Sequence, residues 1–575
     1  MKLSRLRKTY YIVLTLFLTL LVSSFSNISA GGAVLWTGQN LFYITVFLVV
    51  ASLFYLIAKS KTESFSWVEA FVIGALCLAF FLLDWVGTGP LSLDLDSILY
   101  VHSIDLMLSQ GFSLTYASNP NFLLSDAYAL PMQSMLGAAL VLVTNSYYIT
   151  VAKYLPLLLF LVFLVIYYAL VSQRYSKQAA LLSLAIVASF PFFMGFSISL
   201  NNVDLGTVFL LLTISLVFLR NSGNRFVFTA LTFFVIGCFV LTHHLTFVFL
   251  VVALAALAIE DQILRRRLNL NLRNETLTVT ILVAIAAVGA YYAFVYLGPI
   301  QVMLNIFTHQ LAVEVSSATP VATWSAPIIA QRAVYLLFIS FSVFLSVSLA
   351  RANLRRFLSR YADFLVLGWV FFVVSVVGAF ANFPFNWDRT SIYGWIFFIP
   401  ATLAMLFERG DLPILRKRTI TVAFCVILAA ALIFTNVYAL PTSLLNHTGA
   451  NEYQGGAEKV WVKPQEFDSA LWTIQYKTPG SHVVGDEVVR RLYLGNSPNF
   501  TGNFEPIQSY NESSINSIIL LRQENSYQIL GTFSPAPGTK GVFSANELVT
   551  SLITNESLYR VYDDKEVQIL YSPQS

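Results

Sequence analysis

Apolar runs of about twenty residues, divided by short polar stretches, recur along the first three quarters of the chain, and each is long enough for a helix to cross a bilayer. They centre on 9–27, 41–58, 66–84, 150–171, 178–196, 203–219, 226–242, 245–259, 276–296, 329–350, 362–382, 391–407 and 419–439. The pattern therefore predicts a polytopic α-helical membrane protein with about thirteen transmembrane helices. After Leu440 it changes. Gln465–Tyr476 repeats apolar residues at helical spacing through Phe467, Leu471 and Ile474. His482–Val484, Ser517–Leu521 and Val567–Tyr571 read as short strands, and Asp563-Asp564 marks a turn after Tyr559–Tyr562. Residues 441–575 are expected to form a soluble α/β or α+β domain on the extracytoplasmic side. Two N-terminal helices (1–65) and a membrane domain (66–440) precede it.

One stretch breaks the apolar rhythm early. Residues 84–144 carry Asp84, Asp94, Asp96, His102, Asp105 and Asp126 and no Lys or Arg. Within it, Ser97–Gln110 has helical periodicity, with His102, Asp105 and Ser109 on one stripe and Tyr100, Ile104, Met107 and Leu108 on the other side. This predicts an amphipathic helix lying on the membrane surface. The apolar run 127–144 opens with Leu130-Pro131 and is short, so it reads as an interfacial helix rather than a span. Asp94 and Asp96 stand two residues apart. In an extended segment they share a side; at a helix start Asp96 is equally a capping residue.

Composition agrees with the pattern: 57% of the 575 residues are hydrophobic and only 11% charged, against roughly a quarter charged in soluble domains. Charge placement orients the chain. Lys and Arg gather on alternate loops: Lys2, Arg5, Arg7 and Lys8; Lys59 and Lys61; Arg174 and Lys177; Arg220 and Arg225; Arg265, Arg266, Arg267 and Arg273; Arg351, Arg355, Arg356 and Arg360; then Arg409, Arg416, Lys417 and Arg418. The opposite loops before residue 440 hold Arg389, with Lys153 and Arg332 near span ends. By the positive-inside rule the N-terminus is cytoplasmic, and the acidic loop and C-terminal domain lie outside the cell membrane. The first segment also ends like a signal peptide, at Ile28-Ser29-Ala30. Cleavage there would leave the later topology unchanged. Cys77, Cys238 and Cys425 all sit in apolar runs, which excludes a disulfide framework. No basic face lies outside the membrane for a nucleic acid.

Further polar residues fall on the outer side. Asp204 ends the stretch Ser199-Leu200-Asn201-Asn202-Val203-Asp204, and Thr242-His243-His244 turns a tight hairpin. His309 and Glu314 lie in a long loop, and Asp388-Arg389 opens the twelfth helix. Ionisable groups near membrane depth default to function, although capping or anchoring explains any one of them as well. As a set they suit a divalent cation held by carboxylates (Asp94, Asp96 and Asp204 for Mg or Mn) and a phosphate gripped by Arg389.

The chain resembles the GT-C-type membrane glycosyltransferases, which include protein mannosyltransferases, lipid A aminoarabinose transferases and oligosaccharyltransferases. The resemblance lies in an acidic outer loop carrying Asp94 and Asp96, a helix ending near Gly111, and Tyr128-Ala-Leu-Pro131 leading into a second interfacial helix. It continues in Asp388-Arg389-Thr-Ser-Ile-Tyr393 and the C-terminal soluble domain. The tail, with Leu471-Trp-Thr-Ile and Val484-Gly-Asp486, is similar to outer domains of archaeal membrane proteins of this kind. Two helices precede the one that comes first in the family, and the Trp-Trp-Asp motif of oligosaccharyltransferases is absent.

The resemblance implies sugar transfer from a polyprenyl-phosphate donor to a protein, lipid or glycan acceptor on the outer face. Asp94 or Asp96 would be catalytic, and His102, Asp105, Asp204, His243, His244 and Arg389 would line the substrate site. Two other readings share the topology: a transporter or flippase for a polar lipid or sugar, and a surface polysaccharide polymerase or ligase. The topology is directly testable: a reporter fused after Leu268 should be cytoplasmic, and one after Ala318 or at Ser575 external. A cytoplasmic reporter at Ser575 would mean that 127–144 spans the membrane.

Overall fold

The computed structural model describes residues 93–112, 130–188, 200–219, 225–265, 275–294, 326–380 and 387–407. Beyond residue 460 it describes 461–462, 464–476, 481–485, 504–506, 517–522, 528–530, 542–544, 559–563 and 567–572, and a few single positions complete the set. The predicted spans at 9–27, 41–58 and 66–84 lie outside the described residues, as do nearly all of 419–439 and the loop bearing His309 and Glu314.

The helices are α1 (Leu95–Gln110), α2 (Met132–Thr144), α3 (Tyr148–Arg174), α4 (Lys177–Ala188), α5 (Asn202–Leu219), α6 (Arg225–Val240), α7 (His244–Glu260), α8 (Glu275–Phe294), α9 (Ala326–Phe380) and α10 (Trp387–Phe407). A two-residue strand β1 (Leu93–Asp94) precedes α1, and a short π-helical turn (Asp261–Arg265) follows α7. Among the described residues five helices are long and apolar enough to cross a membrane. Their outward positions are apolar: Leu336 is 65% exposed, Val373 57% and Leu158 47%, while polar groups such as Lys153, Asp204 and Thr402 are buried. A soluble bundle does the reverse, so this surface belongs in lipid. Helix α2 shows the inversion locally, with Gln133, Ser134 and Gly137 buried and Leu142 and Val143 outward.

Two features depart from the simple span pattern. The expected spans 329–350 and 362–382 are two helical arms of α9 that meet at Asn353 (φ −157°, ψ 90°). Asn353 Oδ1 accepts from Arg356 N at 2.9 Å, so the asparagine caps the second arm, and no loop is needed between the arms. In α10, Pro400 has no N–H for the carbonyl of Ile396. The Tyr167 hydroxyl donates to that carbonyl instead, at 3.0 Å, tying α3 to α10 in the bundle centre.

Around this tie the core is aromatic. Trp395 meets Phe190, Tyr335, Phe338, Phe372 and Phe398 with ring centroids 4.9–6.2 Å apart. The second arm of α9 runs antiparallel to α10 and closes on it at two glycines. A Cβ on Gly394 would stand 3.0 Å from the Gly368 carbonyl oxygen and 2.9 Å from the Phe372 ring.

In the C-terminal part, β2 (Trp461–Val462) leads into α11 (Pro464–Tyr476), followed by β3 (His482–Gly485), β4 (Phe504–Pro506), β5 (Ser517–Arg522), β6 (Gln528–Leu530), β7 (Val542–Ser544), β8 (Tyr559–Asp563) and β9 (Val567–Ser572). Five of these form a mixed sheet ordered β4-β3-β5-β9-β8, with β3 parallel to β4 and β5, and β9 antiparallel to β5 and β8. Val483, Val489, Ile518, Leu520 and Ile569 form its core, with Trp472 and Ile474 of α11 packed against it.

The glycine contact yields a test. Gly394→Ala should destabilise the protein by about 1–3 kcal/mol, because a backbone oxygen cannot swing aside. Gly289→Ala, where nothing lies within 4 Å of the new Cβ, should be silent or slightly stabilising. Thermal unfolding in detergent compares the two. Equal melting temperatures for both variants would contradict the close approach.

Candidate active site

The bundle has two chemically different ends. At one, Arg174 at the end of α3 donates to Asp363 Oδ2 at 2.6 Å and to the Ser359 carbonyl at 2.8 Å, near the break in α9. Arg351, Arg355 and Arg356 flank that break on exposed positions. The opposite end gathers the first turns of α1, α2, α5, α7 and α10, and it receives the residues expected to form the site.

The contacts that assemble this acidic end can be followed in sequence. The Ser97 hydroxyl in the first turn of α1 accepts from Leu200 N at 2.7 Å, just before α5. Asn201 N donates to Asp204 Oδ2 at 3.3 Å, and Asn201 Oδ1 accepts from Val203 N at 3.1 Å, so Asn201 and Asp204 close the N-terminus of α5 between them. Two residues on, Gly206 leaves room for the start of α7. A Cβ there would stand 3.2 Å from His243 Cβ and 3.1 Å from Thr246 Oγ1. His243 caps α7, its Nδ1 accepting from Thr246 N at 3.2 Å, which places the proton of the neutral ring on Nε2. The His244 ring lies 5.0 Å from it. One residue after Gly206, the Thr207 hydroxyl donates to Val203 O and lies 2.9 Å from Tyr393 OH, so the tyrosine donates to Thr207. Tyr393 is one turn into α10, whose first turn holds Asp388 and Arg389. Finally, Met132 N at the start of α2 donates to Leu241 O, beside the Thr242-His243-His244 turn, at 3.1 Å.

Five helix N-termini, each with the positive end of its dipole, thus meet where the acidic residues lie. Asp204 is 5% exposed, and His243 and His244 are half-buried. Asp94 lies on β1, Asp96 in the first turn of α1 and Arg389 in the first turn of α10; their backbones are described and their side chains are not. The structure brings the backbones of Asp94, Asp96, Asp204, His243, His244 and Arg389 to one end of the bundle. Asp84 and Asp126 lie outside the described residues. Among the described residues no three His, Cys, Asp or Glu side chains stand close enough to hold a metal. The set Asp94, Asp96 and Asp204 is all carboxylate, the chemistry of a hard divalent cation.

Helix α1 is a correction. It does not lie on a surface with a polar stripe turned to water. Ile98, Val101, Ile104, Ile149, Ala152, Leu155, Leu200, Leu205 and Ala470 form one buried cluster, so α1 is enclosed by α2, α3, α5 and α11. The polar stripe splits accordingly: His102 is 2% exposed, Asp105 half-buried and Ser109 exposed. Burial lowers the His102 pKa from 6.5 to about 3 and raises that of the Asp105 carboxyl. His102 is a neutral ring at physiological pH, suited to hydrogen bonding rather than to pairing with an anion. The ribbon β1–β2, with Asp94 opposite Trp461, adds a strand from the C-terminal part to the acidic segment.

Sequence patterns missed several polar residues here: Ser97, Thr207, Tyr393, Gln133, Ser134 and Thr390. Tyr393 and Thr390 had a signal, as members of the Asp388–Tyr393 stretch, and Ser97 as the first residue of the predicted helix Ser97–Gln110. The others are single hydroxyls and an amide in apolar runs, and only the packing shows where they converge.

No family model matches the sequence, and no curated protein matches it. Among solved structures, the chain is similar to the Archaeoglobus fulgidus oligosaccharyltransferase in complex with Zn and sulfate, at 13% identity and TM-score 0.49, over 80% of this chain and 68% of that one. It is similar to ArnT from Cupriavidus metallidurans in the apo state, at 11% identity and TM-score 0.48, over 87% and 97%. It is also similar to the archaeal oligosaccharyltransferase AglB from Archaeoglobus fulgidus in complex with an inhibitory peptide and a dolichol-phosphate, at 12% identity and TM-score 0.47, over 85% and 70%. Likeness at this level leaves the site to be read from its own residues.

The buried histidine gives a pH test. Between pH 6.5 and about 3 the unfolded chain binds a proton at His102 that the folded chain refuses. Its contribution to stability is therefore complete above pH 6.5 and falls as the pH drops, by about 2 kcal/mol at pH ~5. His102→Gln should flatten the fall in melting temperature from pH ~7 to ~5. An unchanged slope would mean that His102 is solvated.

Proposed function

We propose that this protein is a membrane glycosyltransferase that moves a sugar from a polyprenyl-phosphate carrier to an acceptor at the outer face of the membrane. The observation that carries the proposal is the meeting of the first turns of α1, α5, α7 and α10 through Ser97–Leu200, Gly206–His243 and Thr207–Tyr393. This brings the acidic pair, the buried carboxylate, the histidine turn and Arg389 to one end of a bundle whose sides face lipid. A carrier with a long apolar tail and a phosphate headgroup matches that division: the tail lies along the helices and the phosphate meets the N-termini and Arg389.

Chemically, the acceptor hydroxyl oxygen attacks the anomeric carbon, and the bond from that carbon to the phosphate oxygen breaks. Asp94 or Asp96 takes the hydroxyl proton as general base. Charge grows on the departing phosphate, where the Arg389 guanidinium and the helix N-termini stabilise it. A divalent cation, magnesium or manganese, would be held by Asp94, Asp96 and Asp204 and would supply further charge stabilisation. Displacement in one step inverts the anomeric centre. His243, with its proton on Nε2, the neutral ring of His102 and the Asp105 carboxyl serve as hydrogen-bonding groups to the sugars.

Asp94→Asn and Asp96→Asn each remove a charge while keeping shape. At least one should lower turnover by roughly 10²-fold or more with expression maintained. Near-normal turnover in both would leave Asp96 a helix cap. Arg389→Lys should weaken donor use and Arg389→Ala weaken it further, because a point charge imitates a bidentate guanidinium poorly. The measurement is transfer rate against donor concentration in liposomes. An unchanged donor dependence in both variants would remove Arg389 from the site, since a surface ion pair would contribute only about 0–1 kcal/mol.

A further inference from the structure

The first turn of α2 carries a group that neither packing nor the assembly of the acidic end explains. Gln133 is 0% exposed, and both its amide nitrogen and its amide oxygen are buried without a hydrogen-bond partner. Ser134, beside it, is 0% exposed and its hydroxyl is likewise unpartnered. Helix α1 packs on α2 closely enough that a Cβ on Gly137 would meet the Ile104 side chain at 2.5 Å, and the neighbouring Ser103 hydroxyl is a third buried orphan. Polar atoms left unsatisfied in an interior are costly, and native proteins hold few of them. Elsewhere in the bundle, hydroxyls turn back onto their own helix: Ser183 to Ala179 O, Thr213 to Phe209 O, Ser215 to Leu211 O.

We infer that Gln133 and Ser134 form a sugar-recognising subsite that selects the hexose on the lipid carrier. The inference rests on the glycosyl-transfer reading above. The chemistry of the orphans narrows the ligand. A phosphate offers acceptors only and would leave the Gln133 amide oxygen unmet, whereas a cation would leave the amide nitrogen unmet. A sugar hydroxyl donates and accepts at once, and adjacent hydroxyls on a ring match an amide's paired donor and acceptor. Position agrees. Met132 N is bonded to Leu241 O, two residues before His243, and His243 abuts Gly206 in the turn after Asp204. Gln133 is therefore at the acidic end, and it follows Met132 in the helix whose N-terminus is held there. Such a site rejects a sugar lacking the matched hydroxyl, because the buried amide would again be left unpaired.

The test uses the full-length protein in detergent, with undecaprenyl phosphate and undecaprenyl phosphate carrying glucose, mannose or galactose. For the wild type, one sugar-bearing lipid should raise the melting temperature more than the bare lipid and be transferred fastest. Gln133→Leu is close in size and removes both orphan atoms. It should keep or raise the unliganded melting temperature, leave the shift by bare undecaprenyl phosphate unchanged, and abolish the extra shift of the sugar-bearing lipid. Its kcat/KM for the preferred donor should fall roughly 10- to 100-fold, with discrimination among the three sugars compressed. Ser134→Ala should do the same to a smaller degree. If bare and loaded lipids bind alike and Gln133→Leu keeps the sugar preference, Gln133 holds only water and the inference fails while the transferase reading stands. If neither kind of lipid binds the wild type, both fail together.

Discussion

The first two turns of α5 hold the acidic end together. Within eight residues this helix start accepts α1 through Leu200 and Ser97, makes room for α7 at Gly206, and takes the Tyr393 hydroxyl of α10 on Thr207. Asp204 lies between those contacts and is buried by them. The geometry follows from the surroundings. A bundle with apolar sides can keep polar chemistry only at its ends or in its interior, and helix N-termini carry free N–H groups that need partners. Some of these groups are met by local caps, Asn201 and Asp204 on α5 and His243 on α7, and others across elements, Leu200 N by Ser97 and Met132 N by Leu241 O, which leaves a positive field for an anion.

The same contacts separate the transferase reading from a transporter. Transporters place ionisable groups on broken helices near the middle of the bilayer. Here the break in α9 falls at Asn353, beside exposed arginines at the basic end. The mid-helix hydroxyls of α4, α5 and α10 are spent on their own carbonyls. The acidic residues and the histidine turn instead gather at one end, beside helix starts. That arrangement suits chemistry on a headgroup rather than passage through the bundle.

Much of the fold was legible in the sequence because period and charge act locally. The apolar runs at 150–171, 203–219, 226–242, 245–259, 276–296 and 391–407 correspond to helices with boundaries shifted by a few residues. Among the described residues, Arg174, Arg351, Arg355 and Arg356 gather at one end of the bundle. What escaped depends on long-range packing. The burial of α1 follows from its packing against α2, α3 and the start of α5, with Ala470 of α11 joining the same cluster, so the stripe His102–Asp105–Ser109 reads as amphipathic until that packing is known. The Ser97–Leu200 and Thr207–Tyr393 contacts join residues more than a hundred positions apart. Asn353 was readable in principle as an N-cap, but the arginines around it suggested a loop. For the site, acidic residues and Arg389 stand out in an apolar chain, whereas Gln133 and Ser134 become informative only once their burial is seen.

The central claim is that a carrier lipid is cleaved at this end of the bundle. It is tested most directly by following the lipid itself. Purified protein in liposomes, given undecaprenyl phosphate carrying a labelled sugar and a mixture of hydroxyl acceptors, should release sugar-free undecaprenyl phosphate in step with labelled acceptor. Labelled lipid that stays intact and instead changes leaflet would contradict the account and establish a flippase in its place.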